Sequence, residues 1–373
     1  MAATSALGRG FWRRVAGSFG GLLGGLLAAG GARGVALPDN VAEAMAHTFN
    51  GGGVTASGPA LLVRKNIGDR FALTGTYYAD IVSNASIDVV TTASPYRETR
   101  NAYGLGMNYV VRDSMITVLA ATSREPDYIA DAVNVDVAQD VFGGMTTVSL
   151  GFTRGADQVG KAGTEGFFDT ADHWRYRLGA TQVLTANWLG SANFEAISDD
   201  GFLGNPYRVA LVFGAAVPER VPRTRSSRAL QLRAIGDLGD RNVVRGAYRY
   251  FWDNWGITAH TFEVGYARYF GKDLMADAFV RYHVQGGALF YSDNATTDTT
   301  YITRNRQLSD FNDIGVGMNL AWTALTVPGK YTVTVTGGLE FMNFKYSDFT
   351  DVRTGQLYSF NATLAQLLVS MTY

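Results

Sequence analysis

From about residue 47 to the last residue, apolar and aromatic side chains recur at every second position in long runs. A repeat of two is the period of a β-strand, in which successive side chains point to opposite faces. Tyr103, Leu105, Met107, Tyr109 and Val111 alternate with Ala102, Gly104, Gly106, Asn108 and Val110. Trp174, Tyr176 and Leu178 alternate with His173, Arg175, Arg177 and Gly179. Val244, Tyr248, Tyr250 and Trp252 are set against Arg245, Ala247, Arg249 and Phe251, and Ile314, Val316, Met318, Leu320 and Trp322 against Gly315, Gly317 and Asn319. The opposite face would carry Lys and Glu if it met bulk water, as in a soluble sandwich. Here it carries Gly, Thr, Asn and Arg, which suits a confined polar lumen, while aromatics near the strand ends suit interfacial girdles.

The connections alternate as well. Short turns fall at Ile67-Gly68-Asp69, Arg112-Asp113, Gly143-Gly144, Thr185-Ala186, Gly239-Asp240, Gly271-Lys272 and Pro328-Gly329, with Gly, Asp or Asn where a tight hairpin needs them. Between them lie longer polar stretches at 83–95, 156–171, 199–225, 292–310 and 347–356. Outer-membrane barrels join their strands in this way, with short periplasmic turns and long external loops. There are 15 clear strands from Pro59 onward, and a bacterial barrel needs an even number. Placing the missing one at His47 to Ala56 predicts an all-β, transmembrane, antiparallel up-and-down β-barrel of about 16 strands, with 14 as the alternative. Before it, Asn40 and Glu43 form a capping box for a short helix through Ala46. The expected domains are therefore a leader over 1–36, a short segment over 37–46 and the barrel over 47–373.

Composition excludes competing classes. Of 373 residues 44 are Gly, and Asp, Glu, Lys and Arg make up 17%, against about 25% in soluble domains. Mean hydropathy is -0.01, and past the N-terminus no apolar run is long enough for a membrane helix, which argues against a bundle of membrane helices. A barrel passes this test because only alternate residues face lipid. A net charge of -1 offers no basic field for nucleic acid. The chain has no Cys, which removes disulfides, thiolate metal sites and Cys nucleophiles. At the start, Arg9, Arg13 and Arg14 precede a Gly/Leu-rich apolar stretch over 15–29, and Gly34-Val35-Ala36 offers a cleavage site, the pattern of a signal peptide.

At the other end Ala365, Leu367, Val369, Met371 and Tyr373 alternate and finish on an aromatic. Leu367, Val369, Met371 and Tyr373 form the expected assembly signal, since this ending resembles the one read by the barrel-assembly machinery. Several stretches together resemble a family of Gram-negative outer-membrane β-barrel proteins of uncharacterised function. They are Ala85-Ser86-Ile87-Asp88-Val89, Ser94-Pro95-Tyr96-Arg97-Glu98-Thr99-Arg100, Thr181-Gln182-Val183-Leu184-Thr185 with Asn187-Trp188, Asn205-Pro206-Tyr207-Arg208, Pro222-Arg223-Thr224-Arg225 and Trp255-Gly256-Ile257-Thr258-Ala259-His260-Thr261. The resemblance implies a barrel in the cell outer membrane and supplies no activity for any of these residues.

The face opposite the greasy one is expected to hold Arg175, Arg177, Arg233, Arg245, Arg249 and Arg281, with Glu195, Glu263, Asp277 and Glu340. Rows of guanidinium facing carboxylates set a transverse field that selects solutes, and six against four leaves a mild anion preference. The alternative is that these groups pair across strands and brace the wall, because isolated charge inside a barrel is costly. The four histidines His47, His173, His260 and His283 show no metal-ligand spacing. A hydrolase at the outer rim would draw on His260, Asp253 and His283; no cofactor or metal is expected. Asp199-Asp200 and Asp293 with Asp298 lie in expected external loops, where Ca²⁺ or plain solvation would account for them. Arg223 and Arg225 suit a lipopolysaccharide phosphate clamp, a constriction or loop bracing. Two functions follow: a passive channel for small polar solutes, or a structural or assembly barrel holding a periplasmic or lipoprotein partner. Either one has membrane lipid, lipopolysaccharide and the assembly machinery as partners, and no nucleic acid.

Overall fold

A computed structural model of the protein describes residues 35–84, 96–161, 163–164 and 166–373. The expected leader, apart from Val35 and Ala36, and the Ala85–Pro95 stretch lie outside the described residues. The strands are β1 (Val41–Gly51), β2 (Val54–Ile67), β3 (Phe71–Asn84), β4 (Tyr96–Val111), β5 (Ser114–Glu125), β6 (Tyr128–Val141), β7 (Thr146–Gly160), β8 (Phe168–Thr185) and β9 (Trp188–Gly201). They continue as β10 (Val209–Val212), β11 (Ala215–Pro218), β12 (Thr224–Gly239), β13 (Asn242–Asp253), β14 (Thr258–Phe270), β15 (Leu274–Gln285), β16 (Phe311–Val327), β17 (Tyr331–Asp351) and β18 (Gln356–Thr372). All but β10 and β11 join one closed barrel of antiparallel neighbours, so the ring has 16 strands and the alternative of 14 falls away. β10 and β11 form a separate hairpin within the β9–β12 loop.

The ring closes where β1 pairs with β18, from Val41 opposite Thr372 to Gly51 opposite Ala362. Closure leaves no strand edge bare, which is what permits a sheet to cross a membrane. All seven expected short turns lie at one end, with the start of β1 and the end of β18; the long loops lie at the other. At the short-turn end the Tyr373 N–H donates to the Asn40 carbonyl at 3.1 Å.

The N-terminal expectation needs correcting. Residues 41–46 are strand, not helix, and β1 and β2 are divided by a turn at Gly52-Gly53 inside the stretch expected to be the first strand. The barrel thus starts at Val41. The two capping-box residues have other partners: Asn40 Oδ1 accepts the Asn66 N–H at 2.5 Å, and Glu43 Oε1 accepts from Ser370 Oγ at 3.1 Å. With ladders to β2 on one side and β18 on the other, β1 gains a hydrogen bond along nearly every residue that an isolated one-turn helix would leave unmade. Both glycines of the turn have positive φ, +59° and +79°, open to Gly at no steric cost.

Two further boundaries differ. β7 and β8 run on to Gly160 and from Phe168, and β17 to Asp351, so the loops expected at 156–171 and 347–356 are shorter than the polar composition suggests. Strands that project past the hydrocarbon layer need no greasy face.

The alternation resolves into an apolar outside. Leu105, Leu150, Val264 and Leu339 are 60–68% exposed, and Tyr103, Met107, Tyr176, Leu178, Val316, Met318, Leu320 and Trp322 share their outer face. Soluble proteins seldom expose contiguous apolar patches beyond several hundred Å², so this band calls for lipid.

Candidate functional site

Register fixes which side chains share the inner face. On β8, Tyr176 and Leu178 are exposed outward, so Arg175 and Arg177 point in; the same parity turns Arg233, Arg245, Arg249 and Arg281 inward with Glu195, Glu263, Asp277 and Glu340. These ten expected lumen residues do share one face. They pair along the wall. Arg175 Nε lies 2.8 Å from Glu195 Oε1, and Arg249 Nη2 is 4.0 Å from Glu195 Oε2. Arg245 reaches Glu263 at 3.6 Å and Asp277 Oδ1 at 3.0 Å, and Asn319 Nδ2 donates to the same Asp277 oxygen at 3.2 Å. Arg233 makes no ion pair among the described residues.

Three of these contacts cross an intervening strand above a glycine. Gly151 on β7 is in register with Asp136 on β6 and Arg177 on β8, and Arg177 Nη2 meets Asp136 Oδ1 at 2.8 Å. A Cβ on Gly151 would stand 2.2 Å from that carboxylate and 2.6 Å from Arg177 Nε. Gly265 on β14 underlies Arg245 on its way to Asp277, with Arg245 Cζ 2.4 Å from where a Cβ would be. Gly315 on β16 separates Arg281 from Glu340, which are 3.2 Å apart, while Arg281 also touches Asp313 at 3.3 Å. Small residues on the inner face thus serve as passages for guanidinium groups. Sequence reasoning missed Asp136 and Asp313. Adding them sets six carboxylates beside these six arginines, so this set no longer shows the arginine excess behind the expected anion preference.

A second row runs below the long-loop rim. Tyr128 Oη on β6 donates to Asp157 on β7, His173 Nε2 on β8 lies 2.8 Å from Asp157 Oδ2, and His173 Nδ1 lies 2.6 Å from Asp199 Oδ1 on β9. Arg225 on β12 is the register partner of Asp199 and donates through Nε to Asp253 Oδ2 at 2.8 Å. Asp253 Oδ1 accepts the backbone N–H groups of Trp255 at 3.0 Å and Ile257 at 2.9 Å. Sequence singled out Asp199, Asp253 and Arg225 in other roles but did not join them into this row, whose members come from separate strands; Asp199 and Asp200, expected in an external loop, belong to β9.

The long loops fold onto this rim. In the β9–β12 loop, Asn205 Oδ1 accepts the Tyr207 N–H at 2.9 Å, and Tyr207 Oη donates to Asp127 in the β5–β6 turn. Arg223 holds Asp169 through two hydrogen bonds of 2.8 and 2.7 Å, and the Arg225 guanidinium lies 4.6 Å from the Trp255 ring. Of the three roles open to Arg223 and Arg225, loop bracing is the one their contacts make. The β10–β11 hairpin is tied to the β15–β16 loop by Phe213 N–H to Ala295 O at 2.8 Å, while Arg220 and Ile302 exchange two backbone bonds of 3.0 and 2.7 Å. Residues 304–309 of the latter loop turn inward: Gln285 Nε2 donates to Gln307 O at 2.9 Å, and the Arg306 guanidinium lies 5.3 Å from the Phe360 ring and 5.7 Å from Tyr358. Phe360 stacks on Phe344 at 4.6 Å on the inner face, so this loop packs against an aromatic wall inside the mouth.

The rim histidines do not combine. His260 is on the lipid-facing side against Tyr248 Oη at 2.8 Å, whereas His283 faces inward against Thr261 Oγ1 at 2.8 Å. Asp253 is committed to Arg225, so the expected hydrolase constellation is not assembled. His47 Nε2 lies 2.8 Å from both Asp80 Oδ1 and Tyr78 Oη, deep in the wall of β1 and β3. The loop acids are engaged too: Asp298 pairs with Arg220, and Asp293 with Arg304 at 2.7 Å. At the assembly signal, Leu367 and Val369 are exposed on the outer face with Met371 in line, and Lys65 Nζ sits 4.8 Å from the Tyr373 ring.

An apolar exterior, a charged interior and a closed antiparallel ring together define a transmembrane β-barrel. The chain belongs to the family described as Protein of unknown function (DUF3570), whose model matches residues 42–336. No curated protein matches the sequence significantly. In structure it is similar to a bacterial polysaccharide outer membrane secretin, with a TM-score of 0.51 and 6% identity over 90% of this chain and 100% of the other. It is similar to the outer membrane protein opdK from Pseudomonas aeruginosa at TM-score 0.44 and 10% identity, covering 91% and 100% of the two chains. The siderophore receptor PirA from Pseudomonas aeruginosa gives 0.44 and 8%, covering 89% and 80%. At such identities the likeness is one of fold.

Proposed function

We propose that the protein resides in the outer membrane of a Gram-negative cell, with its short turns in the periplasm, and acts as a passive channel for small polar solutes. The observation that carries this reading is the inner wall from β6 to β17, where guanidinium and carboxylate groups stand in pairs above glycines while the outer face is apolar. Paired charge keeps a wall hydrated without the cost of an isolated ion. Lipopolysaccharide and membrane lipid surround the barrel, the C-terminal strand from Leu367 to Tyr373 addresses the assembly machinery, and the chain performs no hydrolysis. Planar-bilayer recording of the purified, folded barrel is the test. Steady conductance that scales with salt is expected, and its absence across salts and voltages rejects the reading.

A second reading is supported by one feature, the inward-turned 304–309 segment on its aromatic wall. A barrel narrowed in this way also serves as a structural or assembly barrel for a periplasmic or lipoprotein partner. Pull-down from gently solubilised membranes would then return one partner in stoichiometric amount, whereas recovery of the barrel alone counts against it.

A further inference from the structure

Both ring nitrogens of His173 face carboxylate oxygens, Asp157 Oδ2 at 2.8 Å and Asp199 Oδ1 at 2.6 Å. An ionised carboxylate only accepts hydrogen bonds, and a neutral imidazole donates from a single nitrogen. Both contacts are therefore hydrogen bonds only while the ring holds two protons. Also facing this position are Tyr128 from β6, which donates to Asp157, and Arg225 from β12, which is directed to Asp253. Arg175, two residues along β8, is turned to Glu195.

The same strand ends carry the β9–β12 loop. Asp199 lies two residues before the end of β9, where the Gly201 N–H donates to Arg223 O at 2.8 Å and the Phe202 N–H donates to Thr170 O at 2.8 Å. Gly201 has φ +111°, and a Cβ there would stand 2.2 Å from Thr170 O, so the backbones of β8 and the departing loop are in close contact. Arg223, at the returning end of the loop, grips Asp169 on β8. Both ends of the loop thus rest on the β8–β9 junction that His173 ties together.

We propose that Asp157, His173 and Asp199 form a proton-operated clasp that fixes the 202–223 loop at the mouth. When the ring gives one N–H proton to water, one nitrogen lone pair is left facing a carboxylate oxygen. That side of the clasp opens, β7, β8 and β9 lose a side-chain tie beside their backbone ladders, and the root of the loop loosens while Arg223–Asp169 and Tyr207–Asp127 still hold it. The clasp closes again when a proton returns. This holds whether or not the barrel conducts, so its test uses no current.

Hydrogen exchange of the folded barrel in detergent, corrected for the intrinsic pH dependence of exchange, measures loop protection between pH 5 and 9. Amides over 201–223 should lose roughly tenfold protection as pH rises through a single step, the change expected for one charged hydrogen bond. His173→Arg keeps a permanent charge and should keep the higher protection throughout, whereas His173→Gln should show the lower protection throughout. A flat wild-type profile, or the same step surviving in His173→Gln, overturns the proposal. Should His173→Arg fail to fold, ¹⁵N resonances of the wild-type ring decide: two protonated nitrogens at pH 6 support the clasp, and one refutes it.

Discussion

Arg177 meets Asp136 two strands away only because Gly151, between them, has no side chain. Guanidinium and carboxylate are joined by their 2.8 Å contact across a backbone that any larger residue would thicken. Gly265 and Gly315 provide the same passage for Arg245 and Arg281.

Gly151→Val should therefore displace Arg177 and cost about 1–3 kcal/mol, the usual range for forcing extra carbons into a filled site. Gly75, also in a strand but with nothing near its Cβ position, is the control and should accept Val with little effect. The unfolding midpoint of each variant in detergent, followed by the shift from folded to unfolded mobility in electrophoresis, measures the difference.

Asp136→Asn leaves Arg177 without its counter-charge. An unpaired charge about 4 Å from a passing ion in water contributes about 1 kcal/mol, so anion permeability relative to cation should rise by up to about fivefold. Reversal potentials under a salt gradient report this ratio, and high salt should erase the change.

Arg306 lies against two aromatic rings, Phe360 and Tyr358. Replacing it by Ala removes two cation–π contacts of about 0.5–1 kcal/mol each, so amides of the 304–309 segment should exchange several-fold faster than in the parent. In the channel reading, the same variant should show larger current fluctuations as the segment leaves the wall.

Tyr373 contributes one backbone hydrogen bond and one contact with Lys65 to the finished barrel. Its deletion should leave refolding from urea into detergent nearly unchanged, yet sharply reduce the amount of barrel recovered from outer membranes of expressing cells. Equal losses in both assays would mean that the residue acts through stability and not through recognition by the assembly machinery.

The period of two made the barrel readable from sequence, since each strand must present one face to lipid wherever it lies in the ring. Strand β1 was less legible for a definite reason. Ala42, Glu43, Ala44, Met45 and Ala46 favour helix locally, and the partners that override this preference, Met371 to Leu367 and Val63 to Pro59, lie far along the chain or past a turn hidden among small residues. Parity also placed Arg175, Arg177, Arg245, Arg249 and Arg281 on the inner face, but it could not say what they touch. Asp136, Asp313, Asp157 and Asp199 acquire meaning only from register, which depends on the ladder and not on composition. The motifs at 205–208, 222–225 and 255–257 likewise showed their role only when their loops met at one rim.

Val41 is the first residue of the ring and Thr372 the last, yet they stand side by side in the finished ladder. During synthesis the opening strand must wait for nearly the whole chain before its neighbour exists, and until then every intermediate has two unpaired margins open to adhesion. A cell that makes this protein has to keep it in custody to its final residues, so a message cut short in the last strand yields no smaller working barrel, only material for proteases.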